Sequence, residues 1–163
     1  MNEFKMIDFA CDLEPLLFDA EEQLMCHFDS DAVAAFLASR GIESIGSVEL
    51  LVHYLKESPL CDETSALSAR VVLAENIVPS GTSLPVKKEK IRYRGQVWVI
   101  HRYDKDPFPS SPHAHNYDLD LKMHLGNGGL YRGKGLLSTV RPKHLLEFRE
   151  RVKHVVLPPL EVG

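Results

Sequence analysis

Tyr117-Asp118-Leu119-Asp120-Leu121-Lys122-Met123-His124-Leu125 alternates apolar and polar residues without a break, and Gly126-Asn127-Gly128-Gly129 followed by Leu130-Tyr131-Arg132 completes the passage. Strict alternation has the period of a strand with one face buried and one wet. Asn-Gly-Gly supplies the positive dihedral angles of a tight turn, so residues 117–132 predict an antiparallel hairpin. Upstream, Gln96 to Tyr103 and Lys90 to Arg94 flank Gly95 and are rich in Val, Ile, Tyr and Trp, as strands are. Downstream, Pro142 suits the first turn of a helix spanning Arg141 to Val155. Its Leu145, Leu146, Phe148 and Val152 would face the sheet. The C-terminal part therefore reads as a small antiparallel sheet with a helix packed on it.

The first half has a different period. Pro15 to Phe28 places Leu16, Leu17, Leu24, Met25 and Phe28 near one stripe. Ser30 or Asp31 suits a cap for Ala32 to Ser39, which Gly41 ends, and Ser47 suits a cap for Val48 to Glu57. Thr64 to Asn76, with Leu67, Val71, Val72 and Leu73, reads as a fourth helix closed by Pro79. The fold class expected is α+β: an acidic helical bundle over 1–79, a turn-rich linker over 80–86, and the sheet-plus-helix domain over 87–163. A DNA-reading helix-turn-helix over Ala32 to Lys56 is disfavoured, because its second helix has Glu49, His53, Lys56 and Glu57 and no arginine for phosphates.

The charges follow the same division. Of 163 residues, 19 are Lys or Arg and 23 are Asp or Glu, yet residues 1–79 hold fifteen acidic and four basic side chains, a net −11, and residues 80–163 a net +7 with six of the eight histidines. Such asymmetry points to a polyanionic partner for the basic part, and the two halves would also neutralise each other across an interface. With 44% hydrophobic residues the chain can bury a core, and it has no apolar run long enough to cross a bilayer. The N-terminus lacks the basic start and apolar stretch of a signal peptide, so the expected location is the cytoplasm, with no membrane association. Cys11, Cys26 and Cys61 form no C-x-x-C pair and suit reduced, mostly buried thiols.

Between the strands lies Asp104-Lys105-Asp106-Pro107-Phe108-Pro109-Ser110-Ser111-Pro112-His113-Ala114-His115-Asn116, a loop stiffened by three prolines. It would hold His113 and His115 in fixed positions beside His101 and His124. Two chemistries use such a cluster. In metal-free RNA cleavage one imidazole removes the 2′-hydroxyl proton, a second group protonates the leaving oxygen, and a cation stabilises the phosphorane. Histidine, with an unperturbed pKa of about 6.5, fits both proton roles. The candidates are His113 and His115 for acid and base and His101 in support. Lys122, Arg132 and Lys134 would supply charge, and Tyr117 or Tyr131 a stacking surface. Arg92, Arg94 and Arg102 would add an electrostatic footprint for nucleic acid. No cofactor is expected on this reading.

The other chemistry is metal binding, with His113, His115, His124 and Asp120 as the ligand set for zinc, manganese or iron. His113-Ala114-His115 also looks like part of a cupin motif. It departs from that motif in having Asp120 for the usual glutamate, Pro107 at the opening glycine, and no second motif. A third reading is a non-catalytic module in which the basic sheet binds nucleic acid or an acidic protein. The glycines at 126–135 match no phosphate loop and suit hairpin turns.

Taken together, the strands, the Pro-His-Ala-His loop, the basic hairpin and the closing helix over Val97 to Arg151 resemble the compact sheet-plus-helix toxin nucleases of bacterial toxin–antitoxin and defence systems. The resemblance implies a nucleic-acid-cleaving effector, with RNA as the expected substrate. It also implies a protein partner that docks on the acidic half or neutralises the basic half.

Overall fold

In the computed structural model the described residues are 3–84 and 95–161, with side chains described from Leu13 onward. The chain divides into two compact units, Met1–Ala66 and Leu67–Gly163. Among the described residues no helix is long and apolar enough to cross a membrane.

The first unit contains three helices: α1 (Glu3–Leu24), α2 (Ser30–Ser39) and α3 (Val48–Lys56). Helix α1 begins well before Pro15 and runs through it. It ends one residue before Met25, whose positive φ of 48° turns the chain so that Cys26 bridges Ala66. Helix α2 starts at a better cap than either residue expected, since Asp29 accepts the Ala32 N–H at 2.8 Å. Ser47 caps α3 as its sequence suggests. Leu13, Leu17 and Ala20 of α1, Val33 and Leu37 of α2, and Leu51, Val52 and Leu55 of α3 make the core together with Cys26 and Phe28.

The stretch expected as a fourth helix is a strand. Residues Leu67–Leu73 (β1) alternate between buried and half-buried, and they pair antiparallel with β2 (Gln96–His101). Val71 lies opposite Trp98, so the β-branched pair Val71-Val72 fits a pleated surface better than a helix. The second compact unit consequently begins twelve residues before Pro79. The sheet continues in chain order through β3 (His113–Asn116), β4 (Leu121–His124), β5 (Gly129–Arg132) and β6 (Gly135–Thr139), a six-stranded antiparallel meander. Two further differences from the sequence reading lie here. The end of the proline-rich loop is itself a strand, β3. The alternation of 117–125 is strand only from Leu121, because the Asn116 side chain accepts the Leu119 N–H and closes a turn that Asp120 leaves with φ 53°. The proposed strand Lys90–Arg94 lies outside the described residues.

Helix α4 (Pro142–Arg151) covers one face of this sheet. Leu145 and Phe148 are completely enclosed, and the Phe148 ring meets Trp98 edge-on at 6.2 Å. Ala69, Val71, Trp98, Ile100, Ala114, Leu121, Met123 and Leu130 share that core. The fold is thus α+β, with helices first, a meander sheet next and a covering helix last. Period two sends every alternate residue of the strands to the opposite face. There the register sets Val99, His115, Lys122 and Tyr131 in one row and His113 beside His124 in the next.

Candidate functional site

That second face is overlaid by the loop from Arg102 to Pro112. Asp106 accepts the Phe108 N–H at 3.1 Å, which, with Lys134 and Lys122 nearby, holds its carboxyl below the ordinary range. Its Oδ2 lies 3.4 Å from Lys134 Nζ and 3.8 Å from Lys122 Nζ. Phe108 meets the Tyr131 ring edge-on at 4.9 Å, under the ammonium of Lys134 at 4.2 Å. Ser110 fastens the far end of the loop. Its Oγ accepts the Leu125 N–H at 3.0 Å and donates to the Pro112 carbonyl at 2.7 Å.

This anchoring puts three functional groups together. Oδ2 of Asp104 lies 2.9 Å from Nε2 of His115 and 3.1 Å from Nε2 of His113. The two rings are 4.5 Å apart. His113 is 1% exposed, and its Nδ1 is 2.8 Å from the Ser110 carbonyl oxygen. A carbonyl only accepts, so Nδ1 carries a hydrogen and the neutral ring keeps a bare lone pair at Nε2. That Nε2 is buried and has no hydrogen-bond partner, because an N–H there would not be aligned with the carboxylate despite the short separation. His115 does make the aligned bond to Asp104. Burial pushes its pKa down to about 4; the hydrogen bond to Asp104 opposes the shift, and the neighbouring imidazoles of His113 and His101 add to it.

An outer layer of rings follows. His115 stacks on Tyr117 with planes 5° apart, His101 stands edge-on to both, and His101 Nε2 is 2.5 Å from the Tyr117 hydroxyl. Tyr117 is 47% exposed.

The expected site residues therefore separate into groups. His101, His113, His115 and Tyr117 come together. Lys122, Tyr131 and Lys134 gather around Asp106 and Phe108. Arg132 is turned toward the 119–120 turn, donating to the Leu119 carbonyl at 3.2 Å with Nε 3.5 Å from Asp120. Arg102 is exposed, and Arg92 and Arg94 lie outside the described residues. The proposed ligand set of His113, His115, His124 and Asp120 is not assembled. His124 Nδ1 accepts the N–H groups of Gly126 and Asn127, its Nε2 lies 3.8 Å from Glu161, and Asp120 pairs with Arg132. Among the described residues the one group of three or more His, Cys, Asp or Glu side chains whose donor atoms can converge on an ion is Asp104, His113 and His115, all within 4.8 Å of one another. Asp104 is the residue the sequence reading missed. The signal for it is topological: a residue just after β2 must lie beside the start of an antiparallel neighbour, and β3 starts at His113.

No protein-family model, curated protein or solved structure matches the chain. The functional reading rests on the residues themselves.

Proposed function

We propose that residues 67–163 form a nucleic-acid-cleaving domain, acting on RNA, whose reactive centre is Asp104, His113 and His115. The observation that carries this reading is the meeting of two imidazole nitrogens on one carboxylate oxygen, on the face of the sheet that the helix leaves free. The charge of the unit supports the substrate class. Residues 67–163 hold sixteen basic and nine acidic side chains, a net +7, as a phosphate backbone requires. Tyr117, with His101 and His115 around it, offers a stacking surface for an unpaired base. Lys122 and Lys134 stand at the other side of the loop, where phosphates can be held. The first unit, at −11, suits a basic partner protein of the kind that toxin and defence effectors use.

The division of acid and base between His113 and His115 does not suit their surroundings. An enclosed ring cannot reach a 2′-hydroxyl, and a ring with a pKa of about 4 is a weak base near neutrality. What the pair offers instead is a bare lone pair at Nε2 of His113 beside the Nε2 of His115, whose hydrogen is given to Asp104.

The test is cleavage of labelled RNA and single-stranded DNA by wild type, His113→Ala and His115→Ala, with binding measured in parallel. Loss of cleavage by roughly 100-fold or more in both variants, with binding kept, is the expected result for groups at the reactive centre. Equal cleavage by all three proteins removes these residues from the mechanism. Salt-dependent binding without cleavage by any of them makes the unit a binding module.

A further inference from the structure

We propose that Asp104, His113 and His115 bind one divalent transition-metal ion, which sits among Oδ2 of Asp104 and the two Nε2 atoms. One atom of the site has nothing to do, the buried Nε2 of His113. A buried polar atom without a partner costs stability, and folded proteins almost always supply one. His113 Nε2 cannot find it by tautomer exchange, since the Ser110 carbonyl holds the hydrogen on Nδ1. Adding a second proton does not mend this, because the resulting N–H would miss the carboxylate. A cation accepts the lone pair directly and also sits beside the negative charge of Asp104. The Ser110 carbonyl then plays the part that outer partners play at metal sites, fixing ring orientation and strengthening the nitrogen donor.

The spacings agree. Two donors bound at about 2.1 Å stand roughly 3.0 Å apart at a right angle and roughly 3.4 Å apart at a tetrahedral one, taking ordinary metal–ligand bond lengths. The separations of 2.9 and 3.1 Å from Asp104 Oδ2 come near the right-angle value, and all three donor atoms lie within 4.8 Å of one another, so a six-coordinate ion would keep positions for water. Two imidazoles and a single carboxylate select first-row transition ions over magnesium or calcium, which prefer oxygen alone. His-x-His on a strand supplies the two nitrogens, because residues two apart share a face, and the ion displaces the Nε2 hydrogen that His115 gives to Asp104 in its absence, leaving the neutral ring protonated at Nδ1.

Metal binding itself stands apart from the nuclease reading; its use on a phosphodiester rests on that reading. In that use a coordinated water loses a proton more readily. Its hydroxide forms the new bond to phosphorus as the bond to the leaving ribose oxygen breaks. The water's proton ends on that oxygen, so one water is consumed and nothing is oxidised or reduced.

The experiment uses full-length protein with any affinity tag removed, stripped with EDTA and titrated with Zn²⁺, Mn²⁺ and Mg²⁺ by calorimetry. Metal content is measured after dialysis, and Co²⁺ serves as a visible-absorption probe. The expected result is one Zn²⁺ or Mn²⁺ per chain, no comparable Mg²⁺ binding, and an affinity lowered at least 100-fold in Asp104→Asn and His115→Gln. His154→Gln, on an exposed histidine elsewhere, should leave it unchanged. Asp104→Asn keeps the side-chain shape, so it tests the site even where a change at buried His113 disturbs folding. Absence of stoichiometric binding, or equal affinity in wild type and both ligand variants, overturns the proposal. Stoichiometric binding without cleavage of any nucleic acid upholds the metal site and removes the nuclease reading. Cleavage undiminished in EDTA by a protein that binds no ion does the reverse.

Discussion

Ser110 is the residue whose removal tests the whole construction of the site. Its hydroxyl makes two bonds at once, accepting the Leu125 N–H and donating to the Pro112 carbonyl, and the side chain is buried. Ser110→Ala leaves the Leu125 N–H buried and unpaired, at about 1–3 kcal/mol, and removes a second bond worth about 1 kcal/mol. The expected loss is therefore about 2–4 kcal/mol. For a chain of this size that corresponds to a fall of roughly 4–16 °C in Tm. Ser111→Ala, one residue away and exposed, should stay within about 0.5 kcal/mol. Urea unfolding followed by Trp98 fluorescence is the assay, since Trp98 is the single tryptophan and is fully buried in the core of the second unit. Because the carbonyl that holds His113 belongs to the same residue, Ser110→Ala should also weaken Zn²⁺ binding several-fold through a loosened ring. Equal stability of the two serine variants would refute the claim that Ser110 pins the loop to the sheet.

Three further outcomes are expected. Phe148→Ala should cost about 3–5 kcal/mol, because the ring fills the space against Trp98, whereas Leu146→Ala, on the exposed side of the same helix, should cost well under 1 kcal/mol in the same urea assay. Gly95→Ala should destabilise by more than Gly133→Ala. Both positions have positive φ, at about 1–2 kcal/mol for a residue with a Cβ, but only at Gly95 would the new carbon fall 2.2 Å from the Leu73 carbonyl oxygen. In the first unit, burial pushes the Cys26 thiol from 9.0 up to about 11, so iodoacetamide at pH 8.5 should label half-buried Cys61 well before Cys26, as peptide mapping would show. The sign of the linkage follows: the folded state keeps the Cys26 proton while the unfolded chain loses it, so stability should fall as pH rises from about 9 to 11. A stability that rises across that range would contradict the burial of this thiol.

How much was legible depends on whether a pattern was local. Helix α3 was readable from its Ser47 cap, α2 from its apolar spacing although its cap is Asp29, and the start of α4 from Pro142, because each signal lies within a few residues. The segment Leu67–Leu73 was not, since Leu67 and Val71 are four apart and four fits both a helical turn and two strand repeats. The residues that decide are Ala69 and Leu73, which keep the period at two, and Ala69 is easily taken for a helix former. The edge strand β6 carried no alternation to read, with Leu136 and Leu137 both exposed. His113 and His115 were visible as an unusual pair in a stiff loop. Asp104 was not, because its role depends on which strand lies beside β2.

The charge division survives the change of boundary for a simple reason. Residues 67–79 contain one arginine, Arg70, and one glutamate, Glu75, so moving them between units alters neither net charge. Strand β1 thus joins the second unit without changing the charge of either. Its correct placement matters for the site instead. With β1 at one side, β2 and β3 become interior strands whose backbone groups are paired on both edges, and the loop joining them cannot slide in register without breaking the ladder. A helix then claims one face of that fixed sheet for apolar packing. Histidines at 113 and 115 must therefore emerge together on the face left over, where a carboxylate three residues beyond the end of β2 can meet both.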